Sequence, residues 1–151
     1  MYELGDWFAV PLRTQGYAIG KVARINDKGI LLGYFFSMKF ENVPSTEDLD
    51  NLKSTEALLL CRFGDLGLKN GSWPTIGQSS GFDPKKWPMP VFGRKDSLVQ
   101  DRAYKVYYDE DDPNKVLKEE RTTTEAVKEL PEDGLAGFGF IEIRLTKLID
   151  N

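Results

Sequence analysis

Gly77-Gln78-Ser79-Ser80-Gly81 spells the G-x-S-x-G turn on which α/β-hydrolases mount a nucleophilic serine. Such a serine needs a base to take its proton, ordinarily an imidazole, and the 151-residue chain contains no histidine. Phe82-Asp83-Pro84 is also a poor opening for the long helix that must follow the nucleophile, so the match is read as accidental. The missing imidazole removes the usual metal ligand and the neutral-pH switch along with the triad base. The chain is therefore expected not to be an enzyme, with no catalytic residue, no metal and no cofactor. One carboxylate mechanism stays open, pairing Glu119 or Glu120 with Asp109, because glycoside-type chemistry needs only two acids across a cleft.

The remaining reactive types have plain structural readings. Cys61, the single cysteine, sits in the apolar run Ala57-Leu58-Leu59-Leu60, where burial raises a thiol's pKa and silences it. One cysteine also excludes an internal disulfide framework and a cysteine-based zinc site. Asn70-Gly71-Ser72 is spelled like a glycosylation sequon but reads as a tight turn. Trp73 and Trp87, each followed by proline, have the chemistry of stacking platforms for bases or a sugar, yet no basic cluster surrounds them. They are read as anchors that pin an irregular loop to the core. Asp109-Glu110-Asp111-Asp112 lacks the central glycine and distal glutamate of a calcium loop, and is expected to be a solvated hairpin tip.

Net charge is −4, which argues against a general nucleic-acid binder, since phosphate neutralisation needs a basic surface. The acidity is local: residues 109–133 hold ten acidic and four basic residues, whereas residues 1–108 carry a net charge of +2. With 40% hydrophobic and 29% charged residues the composition is that of a soluble globular protein, and 151 residues suit one domain spanning 1–151. The opening Met1-Tyr2-Glu3-Leu4-Gly5-Asp6-Trp7 has neither a basic nor an apolar leader region, and the longest apolar run, Ile30 to Phe36, is too short to span a bilayer. A cytoplasmic location, without membrane association, is expected.

Elements that would position these residues follow from pattern. Trp7–Leu12, Tyr17–Ile25 and Ile30–Phe36 read as three antiparallel strands, the last two joined by the turn Asn26-Asp27-Lys28-Gly29. Gly20 and Gly33 inside strands suggest bulges, and hence a sheet curled in the manner of an SH3 barrel. Ser45 three residues before Asp48 predicts a short helix near residues 46–53. Ala57–Phe63 reads as a buried strand, residues 73–90 as an ordered loop, and Tyr104–Tyr108 and Val116–Thr122 as strands flanking the acidic tip. From Leu135 onward, Phe138, Ile141, Leu145, Leu148 and Ile149 have helical spacing, against a competing alternation of Phe138, Phe140, Ile143 and Leu145; helix is the reading taken. The expected class is α+β, mainly β, with a curled antiparallel SH3-like sheet and a few short helices.

Three separated blocks carry a resemblance. Gly5-Asp6-Trp7-Phe8-Ala9-Val10-Pro11-Leu12 with Gly16-Tyr17-Ala18-Ile19-Gly20-Lys21-Val22 is one. Asn70-Gly71-Ser72-Trp73-Pro74-Thr75-Ile76-Gly77 with Pro88-Met89-Pro90-Val91-Phe92 is the second, and Leu135-Ala136-Gly137-Phe138-Gly139 with Glu142-Ile143-Arg144-Leu145 the third. In order and spacing they resemble the immunity protein 26 family of bacterial polymorphic toxin systems. The resemblance implies a cytoplasmic antidote that binds and neutralises a cognate toxin encoded beside it, often a nuclease. The motif residues Gly5, Asp6, Phe8, Gly20, Trp73 and Gly77 look structural, glycines for bends and aromatics for the core, and are not carried over as a toxin-contacting surface.

Toxin-binding candidates come instead from the charge pattern: Asp109, Glu110, Asp111 and Asp112, which suit a basic cleft. The competing reading is a small β-barrel module that binds nucleic acid or a peptide through exposed aromatics; a basic groove lined by Trp73 or Trp87 would favour it.

Overall fold

A computed structural model describes residues 1–150 of the chain. The elements run β1 (Trp7–Pro11), β2 (Tyr17–Ile25), β3 (Ile30–Phe40), β4 (Leu59–Gly64), α1 (Leu66–Lys69), β5 (Thr75–Gly77), β6 (Phe92–Lys95), β7 (Ala103–Tyr108), β8 (Val116–Thr122), β9 (Leu135–Ala136) and α2 (Phe138–Asp150). Two sheets form, one of six strands in the order β5-β1-β2-β3-β4-β9 and one of three in the order β6-β7-β8. The larger sheet is antiparallel except where β9 runs parallel to β4. The architecture is thus mainly β with two helices, as expected, but no closed barrel forms in place of the SH3-like curl.

Both faces of the six-stranded sheet are covered, which explains why its strands read as nearly continuous apolar runs. One face carries Phe8, Val10, Leu31, Phe35 and Phe63 beneath Ile141 and Leu145 of α2 and the Trp73 ring. The other carries Trp7, Ile19, Leu32, Tyr34 and Phe36 against Phe92, Val106 and Tyr108 of the smaller sheet and against Trp87. A helix, a large sheet and a small sheet are stacked in three layers.

The strand glycines sit where rings need their space. A Cβ on Gly33 would lie 2.6 Å from the Phe63 ring and 2.8 Å from the Phe35 ring, and one on Gly20 would run into Phe8. Register breaks at Tyr17/Ile19 and Val22/Arg24 lie beside them, so bulges are present without closing the sheet.

The helix expected near residues 46–53 is replaced by a single 3₁₀ turn, Thr46–Asp48, and a second at Ser54–Glu56. Ser45 does make its cap, its backbone N–H donating to Asp48 at 3.2 Å. The segment, however, buries only Leu49 completely, and a short helix without an apolar stripe has nothing to stabilise it. At the other end of the chain the helical reading holds: Ile141 and Leu145 are buried in α2. The helix starts at Phe138, because Leu135 and Ala136 first pair with Arg62 and Phe63 of β4. No helix among the described residues is long and apolar enough to cross a membrane.

Candidate functional site

The acidic tip joins β7 to β8 and is folded by its own carboxylates. Asp109 accepts from the backbone N–H groups of Asp111 and Asp112, both at 3.1 Å, and Asp112 accepts from Asn114 at 2.9 Å. The bond from Asn114, with one from the Asn26 amide at 2.7 Å, holds the Asp112 carboxyl below its ordinary pKa. Glu110 pairs with Arg24 at 2.6 Å. Of the four acids only Asp111 is both exposed and without a side-chain bond among the described residues. The expected solvated tip is in fact fastened down on three of its four carboxylates.

Arg24 is the fastener. It lies next to the C-terminal end of β2, 2% exposed. Its Nε donates to the Glu110 carbonyl at 2.6 Å, and its terminal nitrogens donate to the carbonyls of Ala23, Trp87 and Pro84 at 2.6, 2.8 and 3.3 Å. One guanidinium therefore ties the tip to the loop that carries Trp87. A second buried arginine, Arg62 of β4, donates to the Pro113 carbonyl at 2.6 Å, stacks over the Tyr108 ring at 4.3 Å and lies 3.6 Å from Asp133. The Tyr108 hydroxyl donates to Asp133 at 2.6 Å; burial, then that bond, pushes its pKa up.

Beside this clamp, strand register builds a cleft. Trp7 of β1, Lys21 of β2 and Tyr34 of β3 are cross-strand neighbours on one face. The Lys21 ammonium consequently lies 4.3 Å above the Trp7 ring, and Trp87, perpendicular to Trp7 and Tyr34, closes over it at 5.2 Å. Its one hydrogen-bond acceptor among the described residues is the Gly5 carbonyl at 2.7 Å. Gly5 can present that carbonyl because it adopts φ +93°, a left-handed conformation open to glycine. Burial pulls the Lys21 pKa down to about 8, against the opposing pull of Asp6 and Asp50.

The other motif residues also have places. Asp6 is buried and accepts from Glu3 N–H at 2.8 Å and from the Gln78 amide at 3.1 Å. Gly77, at φ +100°, stands where the β1–β5 register breaks. Trp73 stacks on Phe8 with centroids 5.6 Å apart and donates its Nε1 hydrogen to Glu142 at 2.8 Å. That carboxylate also receives Arg13 at 3.1 Å. Thus the first block meets the second at Phe8–Trp73 and in the Trp7–Gly77 strand pair, and the second meets the third at Trp73–Glu142.

Ser79 is on an exposed loop, not a strand-to-helix turn, and its hydroxyl donates to the Asp50 carboxylate at 2.5–2.6 Å. Cys61 is buried and its thiol pushed up to about 12 by burial. Glu119 pairs with Arg94, and Glu120 accepts from Tyr107 at 3.1 Å, both on the exposed strand β8 rather than across a cleft from Asp109. Trp73 and Trp87 are 0% and 7% exposed, so both serve the core. Sequence reading missed Lys21 and Arg24, although the signal was there: two cations inside the otherwise apolar strand Tyr17–Ile25 must each find buried partners.

No curated protein and no solved structure matches the chain. The family model described as Immunity protein 26 matches residues 3–103, which include the first two motif blocks and the Lys21 cleft, and the chain belongs to that family.

Proposed function

We propose that the protein is an antidote that acts in the cytoplasm by binding a cognate toxin and blocking it, with no chemistry of its own. Membership of an immunity family carries this reading. The acidic tip supports it as a contact surface, since a loop fastened by Arg24 and Arg62 is ordered before it meets a partner and loses little entropy on binding. Asp109 and Asp112 shape that loop, Glu110 anchors it, and Asp111 offers its charge outward. A toxin with a basic substrate cleft, such as a nuclease, is the partner whose electrostatics complement it.

Co-expression with the toxin domain encoded beside it tests the proposal. The expected outcome is relief of growth arrest and a stable complex that co-purifies. A toxin that kills equally with and without this chain, and forms no complex with it, overturns the reading.

A further inference from the structure

The cleft over Lys21 has a volume of about 580 Å³, within the range of roughly 300–1,000 Å³ in which proteins hold small molecules. Trp7, Lys21, Phe82 and Trp87 line it. An ammonium has three N–H donors, and Gly5 accepts only one of them here. The Trp7, Trp87 and Phe82 rings lie 4.3, 5.2 and 5.8 Å from the nitrogen. They attract its charge but take no ordinary hydrogen bond. A buried cation with open donors, facing an aromatic slot, is a receptor for a single anionic group.

The neighbouring charges narrow the choice. Asp6, just before β1, acts on Lys21 through its charge but is engaged by Glu3 and Gln78, and Asp50 is engaged by Ser79. Lys53, Asp83 and Lys86 stand around the cleft. A phosphate dianion needs several converging donors and would meet the Asp50 and Asp83 carboxylates, whereas a monoanion needs only Lys21. We propose that this cleft binds a small carboxylate ligand with a flat apolar body, the carboxylate accepting from Lys21 and the body lying against Trp87 and Phe82. The site is separate from the toxin-binding reading and does not depend on it.

Phenylacetate is a suitable probe, read through the three indole N–H signals of the ¹⁵N-labelled protein. Trp73 lies on the opposite face of the large sheet, bonded to Glu142, and serves as an internal control. Titration at pH 7 is expected to shift the Trp7 and Trp87 signals saturably in the millimolar range while Trp73 stays still. Because only the charged amine holds the carboxylate and its pKa is about 8, binding should weaken about tenfold between pH 7 and pH 9. Lys21→Met should abolish it, and 2-phenylethanol and phenyl phosphate should bind at least tenfold more weakly. Equal binding of the alcohol, an unchanged affinity in Lys21→Met, or no saturable shift overturns the proposal. Should Lys21→Met fail to fold, the wild-type chain decides: no saturable Trp7 and Trp87 response to phenylacetate, or an equal response to 2-phenylethanol, contradicts the site. A chain that neutralises its toxin yet gives no phenylacetate response loses this site and keeps the toxin reading.

Discussion

Arg24 and Glu110 form a lopsided pair: 2.6 Å apart, with the arginine side chain 3% exposed and the glutamate 64%. The arginine is held in place by four backbone carbonyls as well, so the carboxylate is the replaceable member. Arg24→Met orphans those carbonyls and should destabilise the fold by about 3 kcal/mol. Glu110→Gln leaves them paired and should cost no more than about 1 kcal/mol. Urea unfolding of the two variants checks the asymmetry, and equal losses would contradict it.

Lys21 gives the protein an alkaline stability signature. Its folded pKa, about 8, lies below the ordinary 10.5, so between these values the unfolded chain binds more protons and stability rises with pH. Tyr34 has its pKa raised to about 12 by burial, and Tyr2 and Tyr108 are raised as well. Those phenols from near pH 10, and the buried Cys61 thiol from near pH 9, contribute stability that is lost as pH rises, and they oppose the lysine's gain. The stability of the wild type relative to Lys21→Met is therefore expected to rise by about 2 kcal/mol from pH 8 to pH 10. Urea unfolding of both proteins at each pH reads that difference, and a difference that stays constant from pH 8 to pH 10 would contradict it.

The Cys61 thiol, buried and raised to about 12, should resist alkylation by iodoacetamide at pH 8 in the native protein and react at once in denaturant. Mass spectrometry of the two samples reads the difference; rapid native labelling would mean that β4 opens readily.

Gly33→Ala places a methyl group 2.6 Å from Phe63 and 2.8 Å from Phe35, in a core with rings on every side. The expected loss is about 2 kcal/mol, since overpacked cores must shift rings or backbone to relieve the contact. A lower thermal midpoint with unchanged circular dichroism is the signature; an unchanged midpoint would show that the rings yield freely.

Much of the fold was legible because it is local. Strands β1 to β3, the Asn26–Gly29 turn, the β7–β8 hairpin and α2 all announce themselves in runs of a few residues. Sheet closure was not, because Gly20 and Gly33 have the same spelling whether they bend a strand or make room for Phe8, Phe63 and Phe35. Strand β6 escaped notice next to the prolines, for its four residues gain their strand partner, Ala103–Val106, only across the loop of residues 96–102. The tip was legible as acidic and as a hairpin end, but not as anchored. Its anchors, Arg24, Asn26 and Arg62, lie 86 and 51 residues away in sequence, and no local pattern links a buried arginine to one particular loop.

An ordered acidic tip is proposed to meet a basic toxin surface, and Asp111 is where charge can be changed without unfastening the loop. Replacing all four acids would disturb the contacts to Arg24 and Asn26 as well. The decisive measurement is the association rate of the toxin domain with the wild type and with Asp111→Lys across an ionic-strength series. Charges at the rim of an interface act mainly on the on-rate, and screening at physiological salt limits them to roughly 8 Å. The prediction is a several-fold slower association of Asp111→Lys at low salt, converging with the wild type at high salt, with unfolding midpoints unchanged. Identical association rates for the two proteins at low salt would contradict the tip as the toxin-facing surface.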